Sequence, residues 1–128
     1  MDRTRINPWS WQDRIGFSHA WRLDCPRALI VIAGQTGVDP DGEVVHPDDF
    51  EAEVRLLFAN MRTVLEQSGA TLDDVIKLTV FLLDMGHNDE FNEIKRELCP
   101  HAPAQSTIAV SALAAPGLQL EVEGMAVV

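Results

Sequence analysis

The sequence predicts an α+β domain with the element order β-β-β-α-β-α-β-β, a mixed sheet covered on one face by two helices. Three observations carry this prediction. Two apolar runs rich in branched residues, Leu29 to Ala33 and Val75 to Leu83, have the composition of strands. From Asp48 apolar residues recur every three or four positions, the period of a helix with one buried side, and a shorter helical stretch begins near Asn88. After Pro103 the pattern returns to the two-residue alternation of strands. A length of 128 residues and a hydrophobic content of 46% suit a single domain, residues 1–128, with a sizeable core.

Residues 1–16 read as an irregular N-terminal lead-in, whose Trp9 and Trp11 could cover a core edge or a subunit contact. Phe17 to Leu23 and Ala28 to Ala33 follow as strands, separated by the turn Asp24-Cys25-Pro26-Arg27. The nearly continuous apolar run of the second strand suits a central position buried on both faces. Asp39-Pro40-Asp41-Gly42 is a turn, because Pro presets one backbone angle and Gly accepts a positive one; Val44 and Val45 then form a short third strand.

The long helix spans roughly residues 48–68. Asp48 or Asp49 can accept hydrogen bonds from the first free amides, and Glu51 and Glu53 complement the positive end of the helix dipole. Phe50, Val54, Leu57, Met61, Val64 and Leu65 form its apolar stripe, and Gly69 ends it. Val75 to Leu83 is an interior strand. The second helix runs from about Asn88, its cap, through Leu98, with Phe91, Ile94 and Leu98 inward and Pro100 and Pro103 closing it.

The last two strands are Ser106 to Val110 and Leu118 to Val127. In the first, Ile108 and Val110 share one side, with Gln105, Thr107 and Ala109 on the other. In the second, Leu118, Leu120 and Val122 oppose Gln119, Glu121 and Glu123. Each strand thus has an apolar face for a core and a polar face for water or a site. With both helices on one side, the apolar residues of the far side would be exposed in a monomer, which predicts an oligomer. Gln105, Thr107, Glu121 and Glu123 would then line a partly buried cleft, the setting in which carboxylates are perturbed.

A net charge of −10 with only ten Lys and Arg argues against a nucleic-acid surface. No apolar run approaches the roughly 20 residues that cross a bilayer, and the first residues lack the apolar core of a signal peptide. Cys25 and Cys99 are far apart and without metal-type spacing, which predicts two free thiols in a reducing cytoplasm; neither has an activating context. His19, His46, His87 and His101 show no paired metal spacing, so no metal is expected, and only His19 is kept as a possible cleft neighbour. Gly34-Gln35-Thr36-Gly37 is too short for a phosphate loop and reads as a tight backbone path. Ser18, Ser106 and Ser111 lack the context of a nucleophile elbow.

The runs AGQTGVDPDGEVV, FANMRTVLEQSGATLDDVIKLTVFLLDM, FNEIK and PAQSTIAVSALAAPGLQLEVEGMAV, in this order and spacing, resemble the Rid family of YjgF-type reactive-intermediate deaminases, also labelled endoribonuclease L-PSP-like. The resemblance covers Gly16 to the C-terminus. It implies a chorismate-mutase-like protomer assembled as a homotrimer, small-molecule clefts between adjacent subunits, no metal or organic cofactor, and hydrolysis of enamines and imines such as 2-aminoacrylate to a keto acid and ammonia.

Matched residue by residue, Glu121 stands where the family has the carboxylate that positions the attacking water, and Asn92 matches a motif Asn. Four other positions depart. Gln105 replaces the arginine that grips the substrate carboxylate with two charged contacts, Phe17 replaces a tyrosine, Ala33 a serine, and Thr107 a cysteine; Gly34 still offers its backbone amide. The resemblance therefore implies Glu121 as catalytic residue and Phe17, Ala33, Gly34, Asn92, Gln105 and Thr107 as ligand-binding residues. An uncharged Gln105 cannot reproduce the guanidinium fork, whose loss costs a few kcal/mol. The expectation is a hydrolase or deaminase acting on an enamine, imine or related intermediate other than 2-aminoacrylate. The alternatives are a non-catalytic metabolite-binding trimer and a ribonuclease, the latter suggested only by the family's second label and opposed by the charge.

Overall fold

The apolar run that begins at Val75 lies inside a sheet. In a computed structural model describing Met1–Val128, the elements are β1 (Asp2–Ile6), β2 (Ala20–Asp24), β3 (Leu29–Gln35), α1 (Phe50–Gln67), β4 (Val75–Leu82), α2 (Asn88–Leu98), β5 (Ala104–Ala109) and β6 (Leu120–Val127), with short 3-10 turns at Trp11–Arg14, Leu72–Asp74 and Met85–His87. The main sheet is mixed and ordered β3-β6-β4-β5: β4 runs antiparallel to β6 and parallel to β5. A parallel connection needs a crossover, and α2 supplies it.

Both helices cover one face of that sheet. Asp49 caps α1, its side chain accepting from the Ala52 amide at 3.1 Å, and Ser68 follows its last turn before Gly69 takes a positive φ of 76°. Val54, Leu57, Met61 and Leu65 of α1, with Phe91 and Ile94 of α2, pack on Ile32, Leu78, Val80, Leu82, Leu120 and Val122 in one core. Each such side chain taken fully from water contributes roughly 1.5–3 kcal/mol, so the alternation of β4 and β6 holds the helices to this face.

Several sequence expectations need correction. Residues 2–6 form a strand, β1, rather than an irregular segment, because β2 pairs with it from Asp2↔Asp24 to Ile6↔Ala20 in a separate two-stranded sheet. Val44 makes only an isolated bridge to Val38, so the expected third strand at 44–45 is a turn closure. β3 is an edge strand, with Leu29 58% and Val31 71% exposed, although its run reads as buried on both faces. In α1, Val64 is exposed while Phe58 and Glu53 are buried. Asn88 is the first residue of α2 and not its cap.

The largest correction concerns β5. Its register with β4, Leu78↔Gln105 and Val80↔Thr107, turns Gln105 and Thr107 toward the helices, while Phe81↔Ile108 leaves Ile108 47% exposed on the open face. The apolar and polar sides are the reverse of those expected. Partners in register point to the same side, so β4 decides the facing of β5 whatever its own side chains prefer.

Candidate functional site

The residues singled out from the sequence fall into two groups, on opposite faces of the sheet. Glu121 lies opposite Phe81 and Glu123 opposite Thr79, on the open face. Gly34 lies against Glu121: a Cβ built on Gly34 would fall 2.5 Å from Glu121 Cδ, so only glycine leaves room for this carboxylate. Ala33 and Gly34 are both exposed, and a register shift between Ile32 and Gln35 bends β3 beside Glu121. Ala33, Gly34 and Glu121 therefore lie together as one half of the candidate site.

The other half lies on the helix-covered face at the edge formed by β5. Gln105 Nε2 donates to Asn92 Oδ1 and to Thr107 Oγ1, each at 3.0 Å. Asn92, 5% exposed, donates in turn to Asn88 Oδ1 at 3.3 Å. The chain Asn88–Asn92–Gln105–Thr107 uses the Gln105 amide nitrogen internally and leaves its Oε1 buried with no partner. Gln105 thus offers an acceptor, and no cationic side chain bonds to it. Arg22, a candidate replacement cation, is occupied by Asp24 at 3.0 Å.

Phe17 reaches this half through a parallel bridge between Ser18 and Ala104, which by strand alternation puts Phe17 and His19 on the same side as Gln105. His19 is ringed edge-on by Trp9, Trp11 and Phe17 at centroid distances of 5.0–5.3 Å, and its Nε2 is buried without a partner. The expected single cleft wall of Gln105, Thr107, Glu121 and Glu123 does not exist within one chain.

Two buried charged residues were not picked out from the sequence as parts of the site. Glu53, without exposed surface, accepts the amides of Gln119 at 2.8 Å and Leu120 at 3.2 Å and so fixes the chain just ahead of Glu121. Burial raises its carboxyl above the ordinary carboxylate range, against the lowering effect of those two amides. Its position three residues after Phe50, on the buried stripe of α1, was a signal for this role. Lys95 is equally buried and donates to the Gly16 carbonyl; burial lowers its ammonium to about 8. Cys99, also buried, is pushed up to about 12, while Cys25 is exposed; both are free. No three His, Cys, Asp or Glu side chains converge as a metal would require.

The family model described as Endoribonuclease L-PSP matches residues 12–128. The chain belongs to the Rid family. Among curated Rid relatives, "Protein HMF1" of Saccharomyces cerevisiae is 35% identical over 111 residues, 86% of this chain and 82% of that protein. The mouse protein named 2-iminobutanoate/2-iminopropanoate deaminase is 33% identical over 112 residues, 87% of this chain and 80% of its own length. The crystal structure of the Rid protein YyfB from Yersinia pestis, itself described as of unknown function, superposes with a TM-score of 0.90 at 31% identity, with full coverage of both chains. The α+β architecture read from the sequence is thus the Rid fold. No helix of the chain is long and apolar enough to cross a membrane, and one yeast relative at 32% identity, Protein MMF1, is named as mitochondrial.

Proposed function

We propose that this Rid protein hydrolyses a small enamine, imine or related reactive intermediate in a cleft between copies of itself, assembled as a homotrimer. The observation that carries the reading is that Glu121 and Gln105 face away from each other across one sheet. A second copy docked on the open face can bring its Gln105 edge to Glu121, and the exposed Leu29, Val31, Ile108 and Met125 supply apolar surface for that docking.

In this cleft Glu121 takes a proton from water as the oxygen attacks the imine carbon and gives it to the nitrogen, forming a carbinolamine; it then relays the hydroxyl proton to the amine as the C–N bond breaks and C=O forms, so that C=NH and H2O give C=O and NH3. The Gly34 amide and the half-site of Phe17, Asn92, Gln105 and Thr107 hold the ligand. The unpartnered Gln105 Oε1 favours a substrate that presents an N–H or O–H where an α-imino acid carries its carboxylate. Efficient use of 2-aminoacrylate is therefore not expected. We place the protein in the cytoplasm, a reading supported by its two free cysteines.

The test is ammonia release from imines and enamines generated in situ. Glu121→Gln is expected to lower turnover at least about 100-fold, and Gln105→Leu to weaken it. Trimers reconstituted from a mixture of the two variants should regain activity, because some clefts then pair an intact Glu121 with an intact Gln105. Absence of recovery would sink the shared site; ligand binding without turnover on any substrate would leave the non-catalytic binder.

A further inference from the structure

β3 and β6 separate just where Glu121 lies. Their pairing runs from Leu29↔Val127 to Ile32↔Gly124, then shifts register before Gln35↔Val122, its last pair. The shift sets Ala33 and Gly34 against the single residue Glu123, and beyond it the amides of Gln119 and Leu120 have no β3 partner. On its other edge β6 stays paired with β4, through Phe81↔Glu121 and Leu82↔Leu120. The ladder therefore fixes Glu121 against β4 and not against Gly34.

α1 supplies the missing hold. Where β3 has ended, Glu53 Oε2 accepts the amides of Gln119 at 2.8 Å and Leu120 at 3.2 Å in place of strand carbonyls. Gly37 rests on the same residue, since a Cβ there would fall 2.5 Å from Glu53 Cγ and 2.9 Å from the Glu53 backbone oxygen. Three residues earlier, Gly34 lies against Glu121 with the same closeness. About two turns further along α1, Asn60 Nδ2 donates to the carbonyls of Thr36 and Val38, both at 2.9 Å. Glu53 thus touches both the segment after Gly34 and the residues leading into Glu121, whereas Asn60 holds only the first.

We propose that Glu53 is a positioning residue that sets the distance between the Glu121 carboxylate and the Gly34 backbone amide, without touching substrate itself. It has no exposed surface, and it is the acceptor for two amides that the sheet leaves unpaired, so removing it must move them. The proposal rests on the hydrolytic reading for what the two groups do; the spacing between them can be read without turnover.

Nuclear magnetic resonance of the intact protein at one pH reads that spacing, through the Gly34 amide and the Glu121 side-chain carboxyl carbon. Glu53→Asp draws the acceptor back by one methylene, and Glu53→Met keeps an unbranched side chain without it. Both should shift the two signals together. Glu53→Gln, which keeps the length and an acceptor, should leave them in place, and Asn60→Ala should shift Gly34 alone. On an imine that the parent hydrolyses, Glu53→Asp and Glu53→Met should lower kcat at least about tenfold with KM little changed, and Glu53→Gln should restore it. Leu65→Ala truncates the core about three turns along α1; it should lower stability yet move neither kcat nor the two signals. Unshifted signals in both Glu53→Asp and Glu53→Met, or a kcat loss in Leu65→Ala equal to that in Glu53→Asp, would overturn the proposal. Should Glu53→Met not fold, Glu53→Asp carries the decision. A parent without turnover on any imine bears on the hydrolytic reading alone, because the two signals still decide the spacing.

Discussion

Lys95 Nζ donates to the carbonyl oxygen of Gly16 at 2.5 Å, a bond from a side chain without exposed surface to the residue just ahead of Phe17. Its ammonium falls from an ordinary 10.5 to about 8, first through burial, with Arg96 adding to the lowering and Cys99 opposing it. Between those values the unfolded chain holds the proton more tightly, so stability rises with pH. Cys99 has the opposite sense: its thiol moves from 9.0 to about 12, so above 9 the unfolded chain loses its proton first and stability falls.

The expected profile rises between about pH 8 and 9, where Lys95 acts unopposed, and flattens or declines above. Cys99→Ala should let the rise continue toward 10.5, and Lys95→Met should abolish it. The full Lys95 effect is about 3 kcal/mol at 1.4 kcal/mol per pH unit. Urea unfolding of the parent and both variants at half-unit pH steps checks this, and a parent profile flat from pH 8 to 9 would refute it.

Glu53 links α1 to the start of β6. Glu53→Ala leaves the amides of Gln119 and Leu120 without their acceptor, which should cost about 2–4 kcal/mol in chemical denaturation. Glu53→Gln keeps an acceptor and removes a desolvated charge, so it should stay within about 1 kcal/mol of the parent. Because the folded carboxyl is raised, the folded chain binds the proton more tightly, and stability falls as pH rises through the window above 4.5. Glu53→Gln should remove that slope.

Val31, 71% exposed on the open face, separates monomer from assembly. On a free surface Val31→Asp should change stability by no more than about 0.5 kcal/mol. In an interface it buries an unpaired charge and should dissociate the proposed homotrimer. Sedimentation is expected to report a lower mass for the variant with its far-ultraviolet circular dichroism retained.

Periodicity in this sequence is informative wherever a side chain's own hydrophobicity decides its facing. The stripe Val54, Leu57, Met61, Leu65 and the alternation Leu120, Val122 are both in the core as expected. It is misleading where a neighbour decides. Ile108 faces outward because β4 fixes the register of β5, and Gln105 can face inward because Asn92 supplies an amide partner there. β3 reads as central because an edge strand with exposed valine and leucine has the same composition as a buried one. The two half-sites could not be told apart for the same reason: which face a strand residue occupies depends on pairings between distant residues, such as Phe81↔Glu121.

Two glycines of the sheet should respond differently to the same substitution. The three atoms nearest a Cβ at Gly34 all belong to the side chain of Glu121, at 2.5 Å for Cδ, 2.8 Å for Oε2 and 2.9 Å for Cγ. Glu121 can swing aside by changing rotamer, so Gly34→Ala should cost little stability but move the carboxylate from its place. A displacement of about 1 Å can cost on the order of 100-fold in rate. A Cβ at Gly124 instead meets the backbone oxygen of Lys77 at 2.7 Å, inside the β4–β6 pairing, and that backbone atom cannot rotate away. Gly124→Ala should therefore lower the melting temperature sharply, as overpacking of a tight interior costs about 1–3 kcal/mol. Thermal unfolding together with ammonia release separates the two. A Gly34→Ala protein with full activity would show that Glu121 does not act from the position it occupies beside β3.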